Sequence, residues 1–430
     1  MHQLILWLYS LAVWLATPLL LRKLRRRALT EPGYAVAVPE RFGHYPPPMD
    51  SLSPSSETEA DEQFIWIHAV SLGETRAAAI LLKELRPLLP GDVQVWQPWD
   101  TPWAVRRFLR QFRPSIGILM ETEIWPNLVA ACRRRRIPLV LANARLNEKS
   151  RAGARRLGWL SRPAYAGLSA VWAQTEDDAA RLRDVGAHVA GVFGNLKFDV
   201  VPSPALQAQG RTWRAASARP VVLLASSREG EEAMWLEVLK QKTPLAPSSQ
   251  APAAIDSGVN QSVQWLVVPR HPQRFDEVQR MCEAAGLRVS RRSQWTAQPD
   301  SADVWLGDSL GEMALYYGLA HVALLGGSFA PRGGQNLIEA AAGGCPVVMG
   351  PHTFNFAEAA RLAIDAGAAL RVADMAEGVA AAAALAQDPQ RRRALSERCV
   401  AFTEEHRGAA LDTALAVLQR LREAVDDRPD

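Results

Sequence analysis

The chain has 430 residues, which is too long for one ordinary hydrophobic core and suits two domains of about 150–200 residues each. Apolar residues make up 48% of the sequence and charged residues 22%, a composition typical of globular proteins. The formal net charge is only +4, which excludes a strong overall attraction to anions and leaves local basic patches as the means of binding them.

The four cysteines are scattered along the chain and form no Cys-x-x-Cys motif. They are Cys132, Cys282, Cys345 and Cys399. No pair of histidines lies near them, so the sequence argues against a zinc site and against a disulfide framework. We expect free, buried thiols in a reducing compartment.

An apolar segment opens the chain. No residue from Leu4 to Leu21 is charged, and about 18–20 apolar residues suffice to cross a bilayer. Basic residues crowd positions 22–27 directly after it, and positive charge beside an apolar span marks the cytoplasmic side. A cleaved signal peptide would carry its charge before the apolar run, so we expect a retained anchor. A re-entrant or interfacial helix and a processed signal are the alternatives.

After this segment, short apolar strands alternate with helical patterns. In the first half we predict strands at 64–70, 116–120, 139–142 and 170–173 and helices at 73–89, 125–135 and 176–185. In the second half we predict strands at 221–225, 265–268, 304–306, 323–325 and 346–349 and helices at 231–239, 275–285 and 336–342. This alternation is typical of parallel sheets, so the sequence predicts an α/β fold of two Rossmann-like domains.

A Pro-Ser-Pro sequence within residues 201–209 marks the predicted break between the two domains. We assign residues 1–27 to the anchor and its basic flank, 28–205 to the first domain and 206–430 to the second. Residues 242–263 are rich in Pro, Ala and Ser and are interpreted as a flexible insertion. Ligands of such sheets bind beyond the carboxyl ends of the strands, and we expect a cleft between the domains.

Two acidic motifs follow strands of the first domain. Residues 68–75 read His-Ala-Val-Ser-Leu-Gly-Glu-Thr, and Glu74 falls in the first turn of the following helix. Glu74 is interpreted either as a capping carboxylate or as a general base facing the cleft. Glu121 and Glu123 come at the end of the next strand, where a helix cap is the alternative to a chemical role.

Single cations follow two further strands of the first domain. Arg145 lies in the motif Asn-Ala-Arg-Leu at 143–146, and Lys197 lies in Gly-Asn-Leu-Lys-Phe-Asp at 194–199. One such cation is usually solvated. Several that converge on one cleft would suit a phosphate or a carboxylate.

The second domain carries polar segments at three strand ends. Arg270 and His271 follow one strand, residues 307–313 follow another, and a glycine-rich turn spans 326–339. A glycine-rich turn that leads into a helix lets backbone N–H groups approach a phosphate, and Glu339 is placed to bind ribose hydroxyls. No Gly-x-Gly-x-x-Gly motif follows the first strand of either domain, which argues against a dinucleotide site.

Aromatic and basic residues interleave in one predicted helix near position 108. The set comprises Trp103, Phe108, Leu109 and Phe112 together with Arg106, Arg107, Arg110 and Arg113. Such a helix suits an anionic membrane interface. The alternative is an ordinary surface helix with its Phe residues in the core.

Eight segments, taken in order, resemble the 3-deoxy-D-manno-octulosonic acid (Kdo) transferase family. They are 68–75, 121–128, 143–150, 194–199, 269–275, 307–313, 326–341 and 350–356. The resemblance implies a GT-B glycosyltransferase with an interdomain cleft. It implies inverting transfer of Kdo from CMP-Kdo to a lipid A precursor, lipid IVA, at the cytoplasmic face of the inner membrane. It also implies that transfer needs no metal and no cofactor and that the protein has no nucleic-acid partner.

The resemblance also implies roles for individual residues. Glu74 matches the catalytic base, and Glu121 and Lys197 match residues assigned to transition-state support. The CMP-binding segments match a larger set: Arg270, His271, Leu310, Gly311, Glu312, Asn336, Leu337, Ile338 and Glu339. Arg228 and Gln335 stand where the family more often has His, and Arg can still pair with phosphate.

Two other functions stay open at this point. One is a related GT-B enzyme with another nucleotide-sugar donor. The other is a membrane-tethered homologue that has lost catalysis, because residues 88–99 are shorter than the family's segment at this place. In the family, a strand and a Thr/Gly-rich turn normally lie there.

Overall fold

A computed structural model describes residues 2–29, 35–46, 64–88, 98–241 and 262–426. The chain divides into two compact units, Met1–Asp199 with Arg407–Asp430 and Val200–His406. Each unit contains one parallel β-sheet with helices, so the predicted α/β fold is confirmed. Residues 242–261 of the predicted insertion and 89–97 of the short segment lie outside the described residues.

The first unit contains a five-stranded sheet in the order β1-β2-β3-β4-β5, and every neighbouring pair is parallel. Its strands are β1 (Ile65–His68), β2 (Ile116–Met120), β3 (Leu139–Ala144), β4 (Ala170–Ala173) and β5 (Val189–Val192). Its helices up to residue 184 are α1 (His2–Ala28), α2 (Leu72–Leu85), α3 (Pro102–Phe112), α4 (Pro126–Arg134), α5 (Glu148–Arg156), α6 (Gly158–Tyr165) and α7 (Glu176–Asp184).

The interior strand β2 is buried on both sides of the sheet. Met120 packs in one core with Leu81 of α2, and Leu119 packs in the other core with Phe108 of α3. Side chains alternate between the two faces of a strand, so a continuous apolar run such as β2 needs helices on both faces.

Helix α3 is the one in which aromatic and basic residues interleave. On its buried side, the side chains of Phe108 and Leu109 lie in the core. On its outer side, Arg106, Arg107 and Arg110 are exposed. The interpretation as an ordinary surface helix with Phe in the core is therefore confirmed. Its large aromatic residue on the outside is Trp103, which is 38% exposed.

The apolar segment at the N-terminus forms the single helix α1, which is long and apolar enough to cross a membrane. One side of α1 packs against α4 and α6. There the Tyr9 hydroxyl donates to Asp100 Oδ2 over 3.0 Å, and the Ser10 hydroxyl donates to Asn127 Oδ1 over 3.0 Å. Large apolar side chains remain exposed on α1, namely Leu4, Trp7, Leu8, Leu11, Trp14, Leu15, Leu19 and Leu20.

The second unit contains a seven-stranded parallel sheet in the order β12-β11-β10-β6-β7-β9-β8. Its strands are β6 (Val221–Ser227), β7 (Gln264–Pro269), β8 (Val289–Arg291), β9 (Val304–Leu306), β10 (Val322–Leu325), β11 (Val347–Met349) and β12 (Ala369–Arg371). Its helices are α8 (Pro204–Ala216), α9 (Glu231–Gln241), α10 (Phe275–Ala284), α11 (Met313–Leu319), α12 (Ile338–Ala342), α13 (Ala357–Asp365), α14 (Met375–Gln387) and α15 (Pro389–Glu405).

Strand β6 marks the point at which the strand order reverses. The chain proceeds from β6 to β7 on one side of it, and β10 later pairs with β6 on the other side. In open α/β sheets, ligands bind beyond the carboxyl ends of the strands at such a switch point.

The four cysteines are all buried and none forms a disulfide, as the sequence indicated. Burial raises the pKa of the Cys132 thiol to about 12. These thiols are therefore protonated at neutral pH and serve as small apolar side chains of the core.

The C-terminal helix α16 (Ala409–Asp426) differs from the prediction, which placed all residues after 205 in the second domain. It belongs to the first unit, because Ala414, Val417 and Leu421 complete the core that contains Leu81 and Trp172. The apolar face of a helix predicts that the helix packs against a hydrophobic core. It does not predict which of the two sheets provides that core.

The predicted break at 201–209 also differs from the structure. The first segment of the first unit ends at Asp199, and α8 begins at Pro204. Ser203 caps α8 by accepting a hydrogen bond from the Leu206 N–H, and Pro204 occupies the first turn. The Pro-Ser-Pro sequence is therefore a helix start as well as a boundary signal.

Asp199 accepts hydrogen bonds from the start of the C-terminal helix α16 and so connects this helix to the rest of the first unit. Its Oδ1 accepts from the Gly408 N–H over 2.7 Å, and its Oδ2 accepts from the Ala410 N–H over 2.8 Å. Both N–H groups belong to the start of α16, where no carbonyl of the preceding helical turn is present to accept them.

Asp199→Ala should loosen α16. Loss of a helix cap costs about 1–2 kcal/mol, so amide hydrogen exchange in residues 409–426 should accelerate about 5–30-fold. The control is Asp374→Ala, which removes an equivalent cap from α14, where Asp374 accepts from the Glu377 N–H over 2.9 Å. The control should leave exchange of α16 unchanged, and equal exchange of α16 in both variants would contradict the role of Asp199.

Candidate active site

Glu74 forms a reciprocal capping box at the start of α2. Its N–H donates to Ser71 Oγ over 3.2 Å, and its Oε2 accepts from the Val70 N–H over 2.8 Å. The capping interpretation of Glu74 is therefore confirmed. The carboxylate also accepts a hydrogen bond from the Ser71 side chain.

The pKa of Glu74 is raised above the ordinary value of a glutamate. Burial is the largest cause, because only 7% of the residue is exposed. The hydrogen bonds from Val70 and Ser71 lower the pKa, and the negative charges of Glu123 and Glu121 raise it again. A raised pKa brings a carboxylate closer to the range that suits a proton acceptor, while the role of base itself stays a prediction.

Glu121 lies at the end of β2 and joins the two cations that the sequence placed at other strand ends. Its Oε1 accepts from Lys197 Nζ over 2.8 Å, and its Oε2 accepts from Arg145 Nε over 2.8 Å. Glu121 is 3% exposed, so this charge is buried and needs both partners. The structure thus brings together Glu121 and Lys197, whose charges the sequence could only place at strand ends.

The backbone at this edge is held in an unusual conformation. Glu121 has a φ of 54° and Asn143 a φ of 52°, in the left-handed region that side chains seldom adopt. Asn143 Oδ1 accepts from the Leu196 N–H over 3.1 Å, and its carbonyl accepts from Gln174 Nε2 over 2.9 Å. Asn143 therefore fixes the turn that carries Lys197, a role that sequence reasoning missed.

His68, Glu123 and Trp125 form a second cluster beside Glu74. Trp125 Nε1 donates to Glu123 Oε2 over 2.6 Å, and His68 Nε2 lies 3.7 Å from the same oxygen. Burial lowers the pKa of His68, so the ring is neutral at neutral pH. Burial alone would raise the pKa of Glu123, but His68 and Trp125 hold it below the usual range, so Glu123 remains ionised.

In the second unit, the predicted donor residues follow β7, β9 and β10, which lie on the two sides of β6. Arg270 and His271 come directly after β7, and the Arg270 N–H donates to the Ser227 carbonyl over 3.0 Å. Burial lowers the pKa of His271, and so do the positive charges of Arg228 and Arg270. His271 is therefore a neutral hydrogen-bonding group within a basic surrounding.

The segment after β9 holds Glu312 by both of its oxygens. Arg292 Nη2 donates to Oε1 over 2.8 Å, and the Ser309 hydroxyl donates to Oε2. Leu310 is 73% exposed, and Gly311 has a φ of 79°, which favours glycine. Glu312 is thus a fixed acceptor at the start of α11, next to an exposed turn.

The segment 336–339 after β10 presents its residues in different ways. Asn336 Oδ1 accepts from the Ile338 N–H over 3.1 Å, and Glu339 lies in the first turn of α12. The side chains of Leu337 and Ile338 are buried in the core. Any contact of these two residues with a ligand would therefore come through the backbone.

Glu231 is a second residue that sequence reasoning missed. It opens α9 and is fully buried, and its carboxylate accepts from backbone N–H groups of the glycine-rich turn after β10. Its partners lie about 100 positions further along the chain, and no local signal predicts such a pairing.

Within the described ranges, no group of three or more His, Cys, Asp or Glu residues is arranged to hold a metal ion. The prediction that no metal takes part stays a prediction.

Solved structures of low sequence identity share the fold. A glycosyltransferase from Rickettsia africae ESF-5 is 10% identical with a TM-score of 0.53, covering 86% of this chain and 100% of that chain. UDP-GlcNAc 2-epimerase from Neisseria meningitidis is 13% identical with a TM-score of 0.52, covering 83% and 99%. These likenesses, together with the two parallel sheets, show the GT-B architecture.

A domain structure of higher identity covers less of the chain. The C-terminal CMP-Kdo binding domain of WaaA from Acinetobacter baumannii is 31% identical, with a TM-score of 0.40, and covers 46% of this chain and 97% of that chain.

Comparisons of the amino-acid sequence extend over nearly its whole length. The family profile described as 3-Deoxy-D-manno-octulosonic-acid transferase (kdotransferase) matches residues 37–92 and 87–200. The 3-deoxy-D-manno-octulosonic acid transferase of Bordetella pertussis is 42% identical over 94% of this chain and 97% of the relative. The transferase of the same description from Haemophilus influenzae is 30% identical over 93% and 95%. This chain therefore belongs to the 3-deoxy-D-manno-octulosonic acid (Kdo) transferase family of glycosyltransferases.

Proposed function

We propose that this protein is an inverting glycosyltransferase that transfers Kdo from CMP-Kdo to the lipid A precursor lipid IVA in lipopolysaccharide biosynthesis. Membership of the Kdo transferase family supports the sugar and the reaction class. The observation that carries the chemistry is the buried carboxylate of Glu74, which has a raised pKa and one oxygen that accepts from the Val70 N–H just before its own helix. A base fixed in this way keeps its other oxygen in a defined direction.

Glu74 acts as the general base in this proposal. It accepts the proton of a sugar hydroxyl of the lipid acceptor while that oxygen attacks the anomeric carbon of Kdo. The new carbon–oxygen bond forms on the face opposite the departing group, and the old bond breaks with its electron pair leaving on the phosphate of CMP. The configuration inverts, as expected for a single displacement through an oxocarbenium-like transition state.

Glu121 and Lys197 support the transition state. The Lys197 ammonium, held by Glu121 over 2.8 Å, can donate further hydrogen bonds to an anionic group of the substrates. Kdo carries a carboxylate and its donor a phosphate, so one fixed cation at the carboxyl edge of the sheet suits either. Glu121 fixes the position of the ammonium, and with Arg145 on the second oxygen of Glu121 the three side chains carry one net positive charge, which suits an anionic substrate.

The second unit binds the CMP moiety in this proposal. Arg270 offers a cation for the phosphate, and the neutral ring of His271 offers a hydrogen bond without a second charge. Glu312 and Glu339 offer carboxylates for sugar hydroxyls, and Leu310, Gly311 and the backbone of 336–338 border the same edge of the sheet.

Neither a metal ion nor a cofactor is required in this mechanism. The sequence has no Asp-x-Asp motif near the glycine-rich turn, the pattern through which many nucleotide-sugar enzymes hold a divalent cation. Arg228 and Arg270 both follow strands next to the switch point and can balance the charge of the single phosphate of CMP.

We place the protein on the cytoplasmic face of the inner membrane, anchored by α1. The contacts of Tyr9 and Ser10 with the first unit favour a monotopic anchor that lies along the membrane surface over a helix that crosses it. The exposed apolar side chains of α1 would enter the lipid, and the basic residues at 22–27 would each gain about 1 kcal/mol near anionic headgroups.

Glu74→Gln should abolish Kdo transfer while the protein keeps its fold. The amide oxygen of Gln can still accept from Val70, but an amide cannot accept the proton of the attacking hydroxyl. We expect kcat to fall about 10²–10⁴-fold. The measurement is mass spectrometry of lipid IVA after incubation with CMP-Kdo.

The chain offers a matched control for this variant. Glu377 forms the same capping box on α14, where its Oε2 accepts from the Ala373 N–H over 2.7 Å and its N–H donates to Asp374. Glu377→Gln makes the same chemical change in the same local structure and should leave transfer unchanged. Parental activity in Glu74→Gln would remove Glu74 as the base and leave it a cap.

The pH dependence of kcat/KM should report the pKa of Glu74 in the free enzyme. Glu74 accepts a proton only when ionised, so activity rises with pH, and the raised pKa places this acidic limb at a higher pH than the titration of an ordinary glutamate. Glu123→Gln removes a negative charge that raises the pKa of Glu74, so the limb should move to lower pH. An acidic limb unaffected by Glu123→Gln would assign it to another group.

Nucleotides should distinguish the proposed donor from other nucleotide sugars. CMP at about 100 times its Kd should raise Tm by about 5–10 °C, whereas UDP should leave Tm unchanged. EDTA should alter neither the CMP effect nor the rate of Kdo transfer. Protection by UDP would favour a related enzyme with another donor, and a folded protein that binds CMP without turnover would favour a homologue that has lost catalysis.

A further inference from the structure

Two loops follow the strands at the switch point of the second sheet, where ligands of such sheets bind in a crevice. One loop follows β6 and contains Arg228, and the other follows β10 and begins with Gly326. The loops approach so closely that a Cβ on Gly326 would lie 2.4 Å from the Ser226 carbonyl oxygen. Only glycine fits there, and the relative position of the loops sets the shape of the crevice.

Glu231 joins these two loops with one carboxylate. Its Oε2 accepts from the Arg228 N–H over 2.8 Å and from the Gly327 N–H over 2.7 Å. Its Oε1 accepts from the Phe329 N–H over 3.0 Å and from the Ala330 N–H over 3.2 Å. The residue is 0% exposed, so its negative charge is stabilised by four backbone donors instead of water.

A carboxylate has about four lone-pair sites, and the four N–H groups occupy all of them. Glu231 therefore has no capacity left for a ligand. It also takes the N–H groups of Gly327, Phe329 and Ala330, which form the first half of the glycine-rich turn. These three groups cannot bind a phosphate, which narrows the predicted phosphate contact to the second half of the turn.

The order imposed by Glu231 extends to the second half of the turn. The Gly334 N–H donates to the Gly327 carbonyl over 2.7 Å, and Gly327 itself is fixed by Glu231. Gly334 precedes Gln335 and Asn336, the start of the segment proposed to contact the donor. Displacement of Gly327 would therefore displace the start of that segment.

We propose that Glu231 is the positioning residue of the donor site, an internal anion that folds the glycine-rich turn against the loop after β6 before any nucleotide binds. The proposal rests on the assignment of the CMP site to this edge of the second sheet. Glu231 touches no substrate and acts through Gly327 and Gly334.

The test compares Glu231→Gln with Glu232→Gln in the full-length protein. An amide at position 231 turns an NH₂ group toward two backbone donors and leaves both unpaired. Glu232 is the matched control, since it is equally buried but accepts from Ser227 Oγ over 2.6 Å and Arg274 Nη1 over 2.7 Å. Its removal breaks a buried ion pair without touching the turn.

We expect Glu231→Gln to weaken CMP binding at least tenfold by titration calorimetry and to raise KM for CMP-Kdo by a similar factor, with KM for the lipid acceptor unchanged. Glu232→Gln should lower Tm but leave the Kd of CMP within twofold of the parent. A merely structural role would lower Tm in both variants without a selective loss of CMP affinity.

Hydrogen exchange in residues 326–334 supplies a readout that requires no nucleotide. It should accelerate at least tenfold in Glu231→Gln and not in Glu232→Gln. If Glu231→Gln fails to fold, Glu231→Asp replaces it, because the shorter carboxylate cannot reach all four donors and should weaken CMP binding three- to tenfold.

Two outcomes would overturn the proposal. One is a folded variant at position 231 that binds CMP as tightly as the parent. The other is a parent protein that does not bind CMP at all, which would remove the donor site and the positioning role with it. Faster exchange of the turn in that second case would still show that Glu231 orders the turn, so the two failures are distinguishable.

Discussion

A buried carboxylate must be satisfied by hydrogen-bond donors or cations, because the cost of removing its charge from water is several kcal/mol. Glu74, Glu121 and Glu231 meet this constraint in three different ways at the carboxyl edges of the two sheets. Four backbone N–H groups surround Glu231, and a lysine and an arginine flank Glu121. Glu74 accepts from one backbone N–H and from the Ser71 side chain, and no cation pairs with it among the described residues. The hydrogen bonds and ion pairs that compensate the buried charge therefore decrease from Glu231 through Glu121 to Glu74.

This order agrees with the proposed division of work among the three residues. The fully bonded carboxylate of Glu231 can only organise its surroundings, and the ion-paired Glu121 can position a cation. Glu74 is the least satisfied of the three, and burial raises its pKa. In the proposed function the same side chain is both cap and base, because the Val70 N–H bonds only one of its two carboxylate oxygens. The cap holds the carboxylate in one rotamer, which is the preorganisation that proton transfer requires.

The sequence predicted features that depend on neighbouring residues. It did not predict the contacts between residues that are far apart along the chain. Alternating strands and helices, the helix start at Glu74 and the polar strand ends followed from periodicity and from capping chemistry. The pairing of Glu121 with Lys197 spans 76 positions, and that of Glu231 with Phe329 spans 98. The place of α16 depends on which core its apolar face completes. Packing of the folded chain determines which of these distant segments meet. Residue spacing within a single sequence does not predict those contacts.

The anchor helix and the proposed base are linked by the same edge of the first sheet. Asp100 accepts from the Asn127 and Leu128 N–H groups at the start of α4, and it also accepts from Tyr9 of α1. Helix α4 begins six residues after the end of β2, so α1 packs against a helix that starts beyond the carboxyl end of this strand. A monotopic α1 would therefore hold the carboxyl edge of this sheet near the lipid surface. In the proposed function, this arrangement would let the sugar hydroxyl of the lipid acceptor reach Glu74 while the acyl chains remain in the membrane.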